Sequence, residues 1–232
     1  MKFDVITLFP EVIDAYAGAS ILGRAGKAKL LSIKAHQLRD SSKHKWNQVD
    51  FRPYGGGPGM VLEAESVVRA VEKVQKNKKG PARRGGKTKV LITSAGGKVF
   101  TNAYAKLLAK KYDHIIIVCG RYEGVDARVT KILKADPSRR GRSEVEEVSV
   151  GPYILTGGEV PALAIIDATA RHIPGVLGKS ESLEEGRVAS HDVYTRPEVI
   201  THKGKKYRVP KVLLSGHHKE IEKWRGKRRS QK

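Results

Sequence analysis

Three stretches of this chain put glycines and polar groups where a small ligand could be gripped. The most informative covers residues 149–161 (SVGPYILTGGEVP). Residues 148–155 read as an apolar strand interrupted by Gly151-Pro152. Thr156-Gly157-Gly158-Glu159 follow, then a helix with Pro161 in its first turn. Glycines at 151, 157 and 158 free the backbone for tight turns and remove side chains that would hold a ligand away. Pro161 suits a first helical turn, where a missing N–H costs nothing. A strand that ends in glycines and hands over to a helix N-terminus presents backbone groups to a ligand. The same pattern also describes a tight β-to-α turn that binds nothing, so the stretch alone leaves both readings open. Two more strands end alike: residues 90–94 (VLITS) run into Ala95-Gly96-Gly97, and residues 114–119 (HIIIVC) into Gly120-Arg121-Tyr122-Glu123-Gly124-Val125-Asp126. Ligands of parallel α/β sheets sit beyond the carboxyl ends of the strands, so three such loops point to a site more strongly than one.

Other groups with chemical potential are weaker. Residues 49–60 (VDFRPYGGGPGM) are too glycine-rich for helix or strand and form a shaped loop in which Asp50 and Arg52 either touch a substrate or pin the loop. This is no dinucleotide fingerprint, because Met60 stands at the sixth place counted from Gly55. Gly86-Lys87-Thr88 resembles the end of a phosphate-binding loop, but Pro81 occupies the place of its first glycine and a strand follows instead of preceding. His217 and His218 are adjacent, the wrong spacing for chelation from one helix face, and no metal ligands are assigned. Cys119 is the only cysteine, which excludes internal disulfides and fits a reducing cytoplasm.

The elements that must position these groups alternate strand and helix. Residues 3–9 read as a strand closed by Pro10, residues 11–17 as a helix, and residues 20–24 and 28–38 as a connection and a strand. An amphipathic helix covers residues 61–75, with Val67, Val71 and Val74 on one stripe, and another covers residues 101–110. Leu163, Ile166, Ala170 and Ile173 give the helix after Pro161 a buried stripe. Such alternation predicts an α/β fold around a parallel sheet. Residues 136–143 read as a charged turn, residues 179–192 as a polar interdomain linker, and residues 217–224 as a short helix before a basic tail.

Charge is the compositional outlier. Among 232 residues, 45 Lys and Arg against 24 Asp and Glu leave a formal net charge of +21. A balance that basic implies a polyanionic partner. The acid and proline in the first dozen residues do not suit a signal peptide, and no apolar run approaches the roughly 20 residues of a membrane span, so nucleic acid is the expected partner. Residues 76–89 (KNKKGPARRGGKTK) form a basic loop that is either solvated or in contact with RNA phosphates.

Six motifs in one order carry a resemblance: residues 52–60 (RPYGGGPGM), 119–126 (CGRYEGVD), 149–161, 173–178 (IPGVLG), 194–199 (YTRPEV) and 212–218 (VLLSGHH). Together they resemble the bacterial tRNA (guanine-N1)-methyltransferase family, TrmD, of the SPOUT superfamily. The resemblance implies a homodimer whose α/β domain, residues 1–178, has a parallel sheet and a C-terminal trefoil knot that binds S-adenosylmethionine. Residues 179–192 would be the linker and residues 193–232 a small, mainly helical tRNA-binding domain. The implied reaction is methyl transfer to N1 of the guanosine at position 37, 3′ to the anticodon, which aids reading-frame maintenance; Mg²⁺ is an implied requirement.

By the same resemblance, Ile92, Thr93, Ser94 and Ala95 border the cofactor on one side and Gly120, Tyr122 and Glu123 on another. The knot loop contributes Ser149, Val150, Gly151, Tyr153, Ile154, Leu155, Gly157, Gly158 and Pro161. Asp50, Arg52, Gly55, Gly56, Gly57 and Asp192 would face the RNA substrate. The chemistry itself needs a base, because N1 of guanine carries a proton at neutral pH, and a cation for the charge that develops on O6. Arg171 matches the family arginine for O6; its alternative role is to complement a helix C-terminus. The family base is an aspartate in the linker, whereas residues 179–191 here contain none, which makes Glu185 or Glu184 the candidate base and Asp192 an outside one. Pro152 also stands where members often carry aspartate, and the C-terminal domain reads as short. The alternative function is an RNA-binding protein of this fold that has lost methyltransferase activity.

Overall fold

Short apolar strands and amphipathic helices alternate along the chain and fold as a parallel sheet with helices on both faces. The computed structural model describes residues 1–76, 86–135, 143–177 and 192–227. Two compact units result, Met1–Gly178 and Lys179–Lys232. The first contains β1 (Lys2–Thr7), α1 (Pro10–Ala17), α2 (Ser20–Lys27), β2 (Ser32–Gln37), β3 (Asp50–Phe51), β4 (Val61–Leu62) and α3 (Ala64–Lys76). It continues with β5 (Thr88–Val99), α4 (Asn102–Lys111), β6 (His114–Val118), α5 (Arg128–Ala135), β7 (Ser143–Ser149) and α6 (Glu159–Ala170).

The main sheet has the order β2-β1-β6-β5-β7, with every pair parallel. Alternation along each strand divides the core into two halves. Ile115 and Ile117 of β6 join Phe3, Val5 and Leu91 under α1, α2, α4 and α6. Ile116 and Val118 join Ile6, Val90 and Ile92 under α3 and α5. Because β6, β5 and β7 are neighbours and parallel, the interruption of β5 and the segments leaving the carboxyl ends of β6 and β7 lie side by side. That adjacency is what positions the site.

Several local readings change. Residues 20–24, expected as a connection, belong to helix α2, whose buried Leu22 and Ala25 dock it on the core. The strand expected over residues 148–155 ends at Ser149; Gly151-Pro152 breaks it and residues 150–153 wind as bends. Strand β5 does not stop at Ser94: its pairing with β7 breaks between Thr93 and Lys98, then resumes with Lys98 and Val99 opposite Val148 and Ser149. Gly97 permits this close return, because a Cβ there would lie 2.5 Å from the Val148 nitrogen. Helix α5 and strand β7 were not anticipated, the latter because three glutamates in SEVEEVS mask its alternation.

In the second unit, β8 (Val199–His202) and β9 (Lys205–Arg208) pair as an antiparallel hairpin, followed by α7 (Lys211–Leu214) and α8 (His218–Lys227). The hairpin was not read from the sequence. Its turn is Lys203-Gly204, with φ of 50° and 76°, the paired left-handed geometry that two-residue hairpins favour. Residues 77–85 of the basic loop, 136–142 of the charged turn, 178–191, which include Glu184, Glu185 and all of the linker but Asp192, and 228–232 of the tail lie outside the described residues.

Candidate active site

The interruption of β5 around residues 93–98 and the segments leaving β6 and β7 enclose one cavity of about 530 Å³, closed by the first turn of α6. Small residues let them pack this closely. A Cβ on Gly158 would lie 2.1 Å from Thr93 Oγ1 and 2.6 Å from the Gly120 nitrogen, so glycine is the residue that fits. Thr93 Oγ1 accepts from the Gly120 N–H at 2.9 Å, and the Gly158 N–H donates to the Gly120 carbonyl at 2.8 Å. The three segments are thereby stitched together by backbone and one hydroxyl.

A second set of contacts holds the outer rim. Arg121 Nη1 donates to the Thr156 carbonyl at 2.8 Å, and its Nε lies 3.5 Å from Glu159 Oε2. The guanidinium also stacks 4.3 Å over the Phe9 ring. Glu159, buried at 5% exposure, accepts a 2.6 Å hydrogen bond from Thr7 Oγ1 at the end of β1. Nearby, burial and the Glu159 carboxylate push the Cys119 thiol well up, so it stays protonated and inert.

Of the residues expected at the cofactor, Ile92, Thr93, Ser94, Ala95, Gly120, Tyr122, Glu123, Ser149, Val150, Tyr153, Ile154, Leu155, Gly157, Gly158 and Pro161 all line this cavity. Gly151 does not; it lies beneath the Tyr153 ring, where a Cβ would come within 2.2 Å. Arg121, Asp126, Thr130 and Glu147 line it too and were not singled out. Glu147 could have been found from its place two residues before the end of β7, had that strand been recognised; Thr130 Oγ1 donates to its carboxylate at 3.0 Å.

The lining suits S-adenosylmethionine. The volume falls in the range of roughly 300–1,000 Å³ usual for small-molecule sites. Leu155, Tyr153 and Ile154, which keep exposed surface, can cover a flat ring, while the Glu123 and Glu147 carboxylates can face a sulfonium and an ammonium; the Asp126 carboxylate is held by Arg128. Ile154, 88% exposed beside the cavity, has no packing of its own. Among the described residues no group of three or more His, Cys, Asp or Glu could hold a metal ion, so no residues are assigned to Mg²⁺.

The glycine-rich loop borders the same mouth. The Glu123 N–H donates to the Met60 carbonyl at 3.0 Å, and the Leu62 N–H to the Gly124 carbonyl at 3.0 Å. Gly55, Gly56 and Gly57 are exposed with φ of 86°, 80° and 109°, so the loop turns in left-handed geometry. Burial and a hydrogen bond to Asp50 raise the Tyr122 hydroxyl, which ties Asp50 to the cavity wall; Arg52 is exposed.

Arg171 is elsewhere. It follows the last turn of α6, beside Tyr16, Ile21, Leu22 and Asp167, and does not line the cavity. Twelve residues separate it from Glu159, about 18 Å at 1.5 Å per residue. Asp192 belongs to the second unit, next to Tyr194, Arg196 and Arg225. No helix among the described residues is long and apolar enough to cross a membrane.

Comparison with known proteins places this geometry in a family. The family profile described as tRNA (Guanine-1)-methyltransferase TrmD matches residues 1–232. A tRNA (guanine-N(1)-)-methyltransferase of Ruminiclostridium cellulolyticum is 42% identical over 229 residues, covering 97% of this chain and 89% of that protein. Proteins of the same name from Desulforamulus reducens and Mycoplasma mycoides are each 41% identical, over 82% and 85% of their lengths. With its parallel sheet, its glycine-built cavity and a match along its whole length, the chain belongs to the TrmD family of tRNA (guanine-1)-methyltransferases.

Proposed function

We propose that this protein methylates N1 of the guanosine at position 37 of tRNA, with S-adenosylmethionine as donor. The observation that carries the reading is the convergence of the three glycine segments on one cavity, in a chain of this family with a net charge of +21. Bound there, S-adenosylmethionine supplies an electrophilic methyl group. The chain's own tasks are to orient donor and base, remove the N1 proton, and neutralise O6. We read the segments around residues 93–98, 119–126 and 149–161 as the expected trefoil knot, and the second unit as the tRNA grip. Mg²⁺, if required, would be held largely by water and RNA phosphates, as this ion commonly is.

Arg171 is the residue proposed to face O6, although it stands at the opposite end of α6 from the cavity. A homodimer resolves this. Val160 on α6 and Phe9, Val12, Tyr16 and Ile21 around α1 and α2 are exposed apolar side chains, a surface suited to a second copy. Two α6 helices packed antiparallel across a two-fold axis would bring Arg171 of one copy to the cavity of the other. Glu185 or Glu184 is proposed as the base, with Asp192 as the outside candidate.

The second reading, an RNA-binding protein without methyl transfer, is favoured by one observation: residues 179–191 contain no aspartate. Incubation with labelled S-adenosylmethionine and tRNA transcripts bearing guanosine or adenosine at position 37 separates the two. Incorporation confined to the guanosine transcript is expected. Binding of both ligands without incorporation would establish the second reading.

A further inference from the structure

Beside the cavity mouth, residues 43–54 hold aromatic rings out in solvent on a loop that is fastened on both flanks. Trp46 is 84% exposed and Tyr54 98% exposed. Trp46 adopts φ 65° and Asn47 φ 53°, left-handed backbone that is uncommon outside glycine. The loop does not reach this conformation by being loose. Arg39 Nη1 donates to the Asn47 carbonyl at 3.4 Å, and Ser42 Oγ donates to the Gln48 carbonyl. His44 Nε2 lies 2.8 Å from Glu63 Oε2, and its ring meets the edge of Phe51 at 5.0 Å between centroids. The indole sits at the tip of this pinned turn and belongs to neither core cluster.

A single exposed aromatic residue on a protein surface is ordinary. This one carries a cation over its face and lies on the segment that leads to the site. The Lys45 ammonium lies 5.2 Å over the Trp46 ring. Lys43, Lys45 and Arg52 are all exposed. Four residues beyond Trp46, Asp50 opens β3, which pairs with β4, and Leu62 of β4 bridges to Val125 of the cavity wall. Aromatic faces interleaved with cations on an open surface match what unpaired nucleic acid requires: rings for bases to stack on and positive charge for phosphates. An apolar protein partner would gain little from a solvated ammonium held over the indole.

We propose that Trp46, with Lys45 over it, is a stacking platform for an unpaired RNA base near the methylated nucleotide. The inference rests on the reading of this protein as a tRNA methyltransferase and adds where the unpaired strand is held. Base stacking on an aromatic side chain is sequence-tolerant, so this contact would contribute affinity and register without choosing the target base.

The test compares the wild type, Trp46→Ala and Trp46→Phe as full-length proteins. The probes are a tRNA transcript with guanosine at position 37 and a fully paired RNA duplex of equal length. Trp46→Ala is expected to weaken tRNA binding by roughly tenfold or more, with duplex affinity, S-adenosylmethionine affinity and melting temperature unchanged. Trp46→Phe should keep most of the tRNA affinity while losing the share of tRNA-induced tryptophan quenching that Trp46 contributes, the remainder coming from Trp224. A Trp46→Ala protein that binds and methylates tRNA as the wild type does overturns this inference and leaves the enzymatic reading intact. A wild type that neither binds nor methylates tRNA overturns both. Self-association abolished by Trp46→Ala, with tRNA affinity unchanged, gives the surface to a second copy and overturns the inference as well.

Discussion

The hydroxyl of Thr7, at the end of the first strand, donates a 2.6 Å hydrogen bond to the buried carboxylate of Glu159, 152 residues later. Glu159 in turn lies 3.5 Å from Arg121 Nε, and Arg121 holds the Thr156 carbonyl. A side chain on β1 thus anchors the rim of a cavity built by β5, β6 and β7. Thr7→Val should leave Glu159 partly unsatisfied and cost about 1–3 kcal/mol of stability. S-adenosylmethionine affinity, measured by calorimetry, should fall because the Thr156-Gly157 turn loses its support. Unchanged affinity would show that the Arg121 contacts suffice alone.

Two glycine substitutions should have opposite effects. Gly158→Ala drives a Cβ into Thr93 Oγ1 and the Cys119–Gly120 backbone, so cofactor binding should be lost and stability lowered by about 1–3 kcal/mol. Gly26→Ala lies on the exposed side of α2 with nothing within 4 Å of the new Cβ, and should raise stability by about 0.5–1 kcal/mol with activity retained. Thermal melting and cofactor titration of both variants check the contrast.

Acid sensitivity should centre on Asp4. Burial pushes this carboxyl up, but hydrogen bonds from His114 and His36, each at 2.6 Å, and from Lys2 outweigh it and hold it well below the usual carboxylate range. A depressed folded-state pKa contributes stability above the unfolded value of about 4 and loses it as pH falls below that. Glu144, held at about 2 by Lys111 and Tyr112, acts in the same direction from a more exposed position. Asp4→Asn should cost about 3 kcal/mol near neutrality and flatten the fall in stability below pH 4, read by denaturant titration across pH.

The catalytic assignments separate by what each variant spares. Arg171→Lys keeps a positive charge but loses the planar fork, and should lower methyl transfer by about a hundredfold while sparing cofactor affinity. Mixing Arg171→Lys with a variant disabled in the cavity should restore part of the activity if the arginine acts across a dimer. Glu185→Gln should lower the rate by roughly 100-fold or more if it is the base. Equal turnover transfers the assignment to Glu184 or Asp192.

Binding of tRNA should weaken steeply with salt. If six or more phosphates are neutralised, affinity should drop by about a thousandfold or more between 50 and 200 mM salt. A flat response would remove the phosphate contacts from the account.

What the sequence determined by itself was local in origin. Apolar runs such as HIIIVC specify strands through side-chain alternation, and the glycines after them specify turns no other residue makes cheaply. Class, parallel sheet and most of the cavity lining follow, and six ordered motifs were enough to identify the family. Sequence reading ended β5 too early and missed β7, because its re-pairing at Lys98 depends on a neighbour fifty residues away and its glutamates hide the pattern. The tertiary structure alone decided the strand order, the Thr7–Glu159 tie, the three-way bond network of Asp4, and the distance that separates Arg171 from the cavity. Each of these is a relation between residues far apart in the chain, which depends on which elements become neighbours once the core has packed and leaves no periodic signal in the sequence.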